Sequence, residues 1–241
     1  MVATNGGPMV ERILAVETSS AWTSLAVADD GVVIAEAEHH DARGHVEAIG
    51  ALFADTIAPA LTGPPVTGVV CGVGPGPYSG LRVGIAYARA VALAWQVPVV
   101  GVCSLDAVAA ANRQPGDYVV AADARRREVY WAVFDPTGAR IDGPYVGNAT
   151  EIPTGLPVVG VPAHARDLIT FLATRSASDP ARWDPTPIGV ELDDHGDGGA
   201  RTARALTGRT LLTAQPLYLR SADVTVSPRA SHPVTAGVTW T

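Results

Sequence analysis

Apolar positions fall along this chain in two rhythms. Ile13–Val16, Val69–Val73 and Val99–Val102 are short unbroken runs, the mark of strands buried on both faces. Ser24–Ala28 and Val32–Glu38 are separated by the tight turn Asp29-Asp30-Gly31, so the first three strands form an antiparallel meander. A helical rhythm replaces this after His45, with Val46, Ile49, Leu52, Phe53, Ile57 and Leu61 at helical spacing until Pro64-Pro65. A second helix is predicted over Gly80–Trp95, capped by Ser79 and ended by Pro98, which disfavours helical geometry at Val97. The order is βββαβαβ, and it starts again: strands over Asp117–Asp123, Glu128–Asp135, Ile141–Val146 and Pro157–Val161, then helices over Ala163–Arg175 and Gly199–Leu212. Ser176–Pro187 and Asp193–Gly198 have loop composition. Two such halves predict a duplicated α/β architecture with a cleft between lobes.

The second helix is unusual. Gly80, Gly84, Ala88 and Ala92 recur every fourth residue, leaving one face almost without side chains. An interior glycine costs a helix about 1 kcal/mol relative to alanine. A bare stripe at that cost implies that another backbone or helix comes very close. That neighbour is either the same subunit or a second protein.

Composition narrows the chemistry. All 17 Lys+Arg residues are arginines, so there is neither a P-loop lysine nor a Schiff-base lysine. A dinucleotide fingerprint begun at Gly72 and Gly74 fails at Pro77. The formal net charge is -7, which disfavours the chain as a stand-alone ligand of nucleic acid; Arg125-Arg126-Arg127 is the local exception. Cys71 and Cys103 sit in buried-strand patterns and form no metal-type cluster. Met1–Pro8 has neither the charged start nor the apolar run of a signal peptide, and Arg89, Gln96 and Pro98 interrupt the most apolar stretch, so a cytoplasmic chain with no membrane span is expected. Ser19 and Ser79 lack a nucleophile-elbow setting, and Asp123 with Glu128 reads as a structural ion-pair group beside arginines.

Five segments in order carry a resemblance: I-L-A-V-E-T-S-S-A-W-T-S-L-A-V from Ile13, H-V-E-A-I from His45, G-V-G-P-G-P-Y-S-G-L-R-V-G from Gly72, A-D-A-R-R-R-E-V-Y-W-A from Ala122 and P-L-Y-L-R from Pro216. Together they resemble the TsaB (YeaZ) family across roughly residues 12–220. The resemblance implies an α/β fold of the actin/Hsp70/sugar-kinase (ASKHA) class with two ribonuclease H-like lobes. It implies lobes over 12–107 and 108–226, the helix near 199–212 packing back on the first, with disordered tails at 1–11 and 227–241.

The resemblance also implies a role. Family members are non-catalytic partners of the transferase TsaD in making N6-threonylcarbamoyladenosine at position 37 of tRNA, with the ATPase TsaE joining them. It implies a partner surface on the two helices, at His45, Ile49, Leu52, Phe53, Gly80, Gly84, Ile85, Ala88 and Ala92, and a homodimer when the chain is alone. tRNA is then met only through the complex. TsaD binds metal with a His-x-x-x-His pair whose positions fall here at Ser104 and Val108, so no metal centre is expected. No cofactor is required. Weak ATP or ADP binding stays open in a degenerate nucleotide cleft of Glu17, Thr18, Ser19, Gly74, Gly76 and Arg82. The alternatives are an ATPase or sugar kinase of the same fold and, behind it, a metal-dependent peptidase.

Overall fold

A computed structural model describes residues 10–174, 183, 185, 201–202 and 211–219. Residues 1–9 of the tail expected at 1–11, the tail expected at 227–241 and most of the loops expected at 176–187 and 193–198 lie outside the described residues, whereas Glu11 is ordered, exchanging hydrogen bonds of 2.9 Å with Asp30. The first sheet holds β1 (Arg12–Glu17), β2 (Trp22–Asp29), β3 (Val32–His40), β4 (Gly68–Gly72) and β5 (Val99–Val102) in the order β3-β2-β1-β4-β5. β1 pairs with β2 antiparallel and with β4 parallel, so the meander and the crossover unit share their central strand. That strand is buried along its whole length, as its unbroken apolar run requires.

The second sheet holds β6 (Tyr118–Asp123), β7 (Glu128–Phe134), β8 (Arg140–Asn148), β9 (Val158–Val159) and β10 (Arg201–Thr202) in the order β10-β8-β7-β6-β9. β6 through β9 repeat the pairing of β1 through β4. The repeat predicted from the pattern is therefore present, with two differences. The expected buried strand over Pro157–Val161 shrinks to the two residues of β9, where Val158 is 52% exposed, because β9 is the sheet's edge. The expected helix over Gly199–Leu212 is absent at both described ends. Arg201–Thr202 pairs with β8, and Leu212 exchanges two backbone hydrogen bonds of 2.7 and 2.8 Å with Gly101. Strand partners there outweigh a local helical pattern.

Helices divide over the first sheet. On one face lie α1 (His45–Leu52) and α3 (Tyr78–Trp95), whose Ile49, Leu81 and Ile85 pack with Leu14, Val16, Leu25 and Val27. The single helix expected over His45–Leu61 becomes α1, a π turn over Phe53–Ile57 and the short α2 (Ala58–Ala60). Pro59 explains it: a proline lacks the N–H of the α ladder and clashes with the carbonyl four residues back, and the wider turn relieves both. α3 starts at Tyr78 behind Pro77, and no side chain caps it, so Ser79 lies inside the first turn. On the opposite face lie α4 (Ser104–Ala111) and α5 (Ala165–Ala173). Leu168, Ile169, Phe171 and Leu172 of α5 pack with Ile13, Ala15, Ala26 and Ala28. An element from the second half thus roofs the first sheet, where the helix near 199–212 had been expected. α4 is buried from Ser104 to Ala110 and joins the two sheets: Leu105 and Val108 meet Tyr118 and Phe134, while Ala107 and Ala110 meet α5.

Candidate functional site

The carboxyl ends of β1, β4 and β6 open on one cleft of about 370 Å³, the place where open α/β sheets bind ligands. Its wall includes Ser19 and Ser20 from the turn after β1, Pro75 and Pro77 from the loop before α3, Ser104 and Val108 of α4, and Asp123 and Arg125 at the end of β6.

Below the cleft floor lies Glu17, fully buried. Its Oε1 accepts from Ser19 N at 2.6 Å and its Oε2 accepts from the Ser104 hydroxyl at 2.8 Å. Gly72 makes room for it: a Cβ there would fall 1.9 Å from Oε2. Burial raises the carboxyl pKa above its ordinary value, against the pull of the hydrogen bonds from Ser19, Ser104 and Thr18. The carboxylate is therefore committed to its own chain. Thr18 is committed too, donating its hydroxyl to Gly80 O at 2.8 Å.

The six residues put forward for a nucleotide cleft are not gathered around it. Ser19 lines the cleft, whereas Glu17, Thr18, Gly74 and Gly76 do not. Gly76 backs onto the Ser19 carbonyl, which a Cβ at that position would meet at 2.3 Å. Arg82 is exposed and engaged elsewhere, lying 4.0 Å over the Tyr78 ring and donating to the Tyr218 hydroxyl at 3.1 Å. Asp123 and Arg125, named only as an ion-pair group and part of a charge triplet, stand on the cleft wall instead.

The bare stripe of α3 meets the same subunit. A Cβ at Gly84 would sit 2.2 Å from Thr18 Oγ1, and one at Gly80 would sit 2.6 Å from Thr18 O. Ile85, Ala88 and Ala92 are buried beside them in the first-lobe core. His45 and Ile49 are buried as well, and Leu52 and Phe53 are half-buried, Phe53 against the rings of Tyr87 and Trp95. Of the side chains named for a partner surface, His45, Ile49, Ile85, Ala88 and Ala92 thus face inward, because the glycine stripe serves the approach of α3 to the β1–β2 turn, while Leu52 and Phe53 keep part of their surface outside. What faces outward on this helical layer is a different set: Val46, 64% exposed, and Leu93, 81% exposed, with Gly50, Ala51, Ala54, Ala86 and Ala90 also exposed. The sequence reading missed this set: it placed Val46 in phase with Ile49 and Leu52 on the apolar face and did not single out Leu93.

His45 shares a hydrogen bond of 2.7 Å between its Nδ1 and Thr23 Oγ1. Burial lowers its pKa, Arg125 and His39 push the same way, and Asp41 opposes. It holds α1 to β2. Among the described residues no group of three or more His, Cys, Asp or Glu side chains could hold a metal ion. Both cysteines are buried, with Cys103 pushed up to about 12, so neither is a thiolate near neutral pH. No helix among the described residues is long and apolar enough to cross a membrane.

A family model described as TsaD, tRNA N6-adenosine threonylcarbamoyltransferase, matches residues 28–161, more than half of the chain. The chain belongs to the TsaD family, and the named relatives it resembles include TsaB proteins. The TsaB protein of Escherichia coli is 35% identical over 127 residues, 51% of this chain and 54% of that protein. An uncharacterized Mycobacterium leprae protein is 45% identical over 160 residues, 64% of this chain and 44% of its own length. The chain thus spans about half the length of these two relatives (44% and 54%). A Pseudomonas aeruginosa crystal structure described as similar to peptidase YeaZ superposes with a TM-score of 0.59 at 20% identity, covering 87% of this chain and all of that one. The two-lobed sheet topology is that of YeaZ, an ASKHA-type fold.

Proposed function

We propose that this chain is a non-catalytic scaffold subunit that binds and activates a TsaD-type transferase in N6-threonylcarbamoyladenosine modification of tRNA. The observation that carries the reading is the outward face of α1 and α3. A long, well-packed helical layer leaves Val46 and Leu93 on its solvent side among small residues that would let a partner helix approach closely. The cleft supports it from the other side: Ser104 and Val108 stand where the transferase resemblance places metal ligands, and the Ser104 hydroxyl is bonded to Glu17. The catalytic work then falls to the partner, with a TsaE-type ATPase as third component and a homodimer through the same face when the chain is alone.

The test separates surface from core. Gly84→Leu is a poor probe, since a side chain there strikes Thr18 and disturbs the fold first. Val46→Asp and Leu93→Asp leave the core alone. Together they are expected to weaken co-elution with the cognate transferase by about ten- to a hundredfold, and to abolish modification in a reconstituted system without changing the melting temperature. Undiminished co-elution of a folded double variant refutes the assignment of this face.

A further inference from the structure

The turn between β6 and β7 breaks a local rule. Arg125, Arg126 and Arg127 all have positive φ, at 60°, 56° and 66°, a full left-handed turn built from residues with side chains. Left-handed geometry costs an L-residue about 1–2 kcal/mol, and turns that need it ordinarily use glycine or asparagine. The turn is held in that shape by its neighbours: Glu128 N donates to Arg125 O and Ala124 N donates to Glu128 O, each at 3.0 Å, and Asp123 Oδ1 accepts from Arg125 N at 2.9 Å. Glycine would close this hairpin with less strain, so hairpin closure does not account for the arginines.

Their placement does. All three side chains are exposed. Arg125 lines the mouth of the cleft with Ser19, Ser20 and Ser104. The guanidinium groups of Arg125 and Arg127 have no ion pair or hydrogen bond among the described residues, whereas Arg12, Arg140 and Arg166 are each paired to a carboxylate. A chain of net charge -7 repels a polyanion over most of its surface, so the two uncommitted guanidinium groups of Arg125 and Arg127 fix which side such a partner can approach. Strain of this kind collects where a side chain must be presented to a ligand.

We propose that the Arg125–Arg127 turn grips the phosphate backbone of an RNA and sets the orientation of this subunit against it. The proposal rests on the tRNA-modification reading above and adds a direct contact where that reading expected none. The contact is sequence-independent, because a guanidinium meets phosphate oxygens of any nucleotide.

The experiment uses the full chain with its cognate transferase and ATPase, and cognate tRNA as the probe. Arg125→Gly/Arg127→Gly removes two charges while supplying residues that favour positive φ; Arg126, which has an interaction of its own, is left in place. The double variant is expected to co-elute with the transferase as the wild type does and to melt at the same or a higher temperature. Its KM for tRNA should rise about tenfold or more, and the log–log salt slope of tRNA binding should fall by about 1–2. Arg125→Lys/Arg127→Lys should keep most of that slope. An unchanged KM and slope in the glycine variant overturns the proposal, and so does loss of co-elution, which would make the turn a protein contact. If leaving out the whole chain does not affect modification, the scaffold reading falls instead, and direct anisotropy titration of labelled tRNA with the chain alone still decides the turn.

Discussion

Glu17 shows how much a single side chain's surroundings decide. In sequence it stands at the end of the first strand, among the residues put forward for a nucleotide cleft. In the structure it points into its own chain, between Ser19 N and the Ser104 hydroxyl, in space left by Gly72. Its raised pKa means that the folded state favours the protonated form. The associated stability is therefore fully present below the unfolded value near 4.5 and is lost as pH rises through the folded pKa. Glu17→Gln removes that charge and keeps both contacts, since the serine hydroxyl can accept as well as donate. Denaturation midpoints of wild type and variant, measured from pH 4.5 to 8, should show the wild type losing stability relative to the variant as pH rises. A flat difference would mean that Glu17 is charged without cost. His45 acts in the opposite sense: its depressed pKa contributes stability that is present above the unfolded value near 6.5 and lost as pH falls through the folded pKa.

At the scale of elements, the strands of the first lobe and the two helices after them were legible because each carries one dominant period. The helix breaks were less so. The run from His45 to Leu61 read as one helix because its apolar spacing outweighed Pro59 inside it, and Ser79 looked like a cap until Pro77 took the position. The glycine stripe was legible as close approach and illegible as to whose backbone approached. Thr18, the neighbour it serves, lies 66 positions away from Gly84 in the chain. α4 holds another contact that no spacing reveals: Asp106 and Arg140 of β8 form a fully buried bidentate pair at 2.8 and 2.9 Å, with Arg140 also donating to Gly143 O. Breaking such a pair from one side strands a buried charge. Arg140→Met alone is expected to cost about 3–5 kcal/mol in urea unfolding, whereas adding Asp106→Leu should recover much of the loss. Additive losses would show that the two charges do not depend on each other.

For the whole molecule, the duplicated order and its cleft were visible in the pattern, while strand order and the exchange of elements between halves were not. Periodicity marks which face of α5 is apolar without saying which sheet receives it, and the sheet that receives it is the first. The first lobe is consequently not a free-standing unit. A fragment of residues 12–115 leaves the α5 side of its sheet uncovered and is expected to bind a hydrophobic dye and aggregate, whereas a fragment of 12–175 should melt cooperatively. Cooperative melting of the shorter fragment would contradict this.

Synthesis on the ribosome inherits the same dependence. After α4 emerges, about sixty more residues must be made before α5 arrives, which at roughly 10 residues per second is about six seconds. For that interval Ile13, Ala15, Ala26 and Ala28 lack their cover, and a nascent chain in that condition is a client for whatever holdase meets it first.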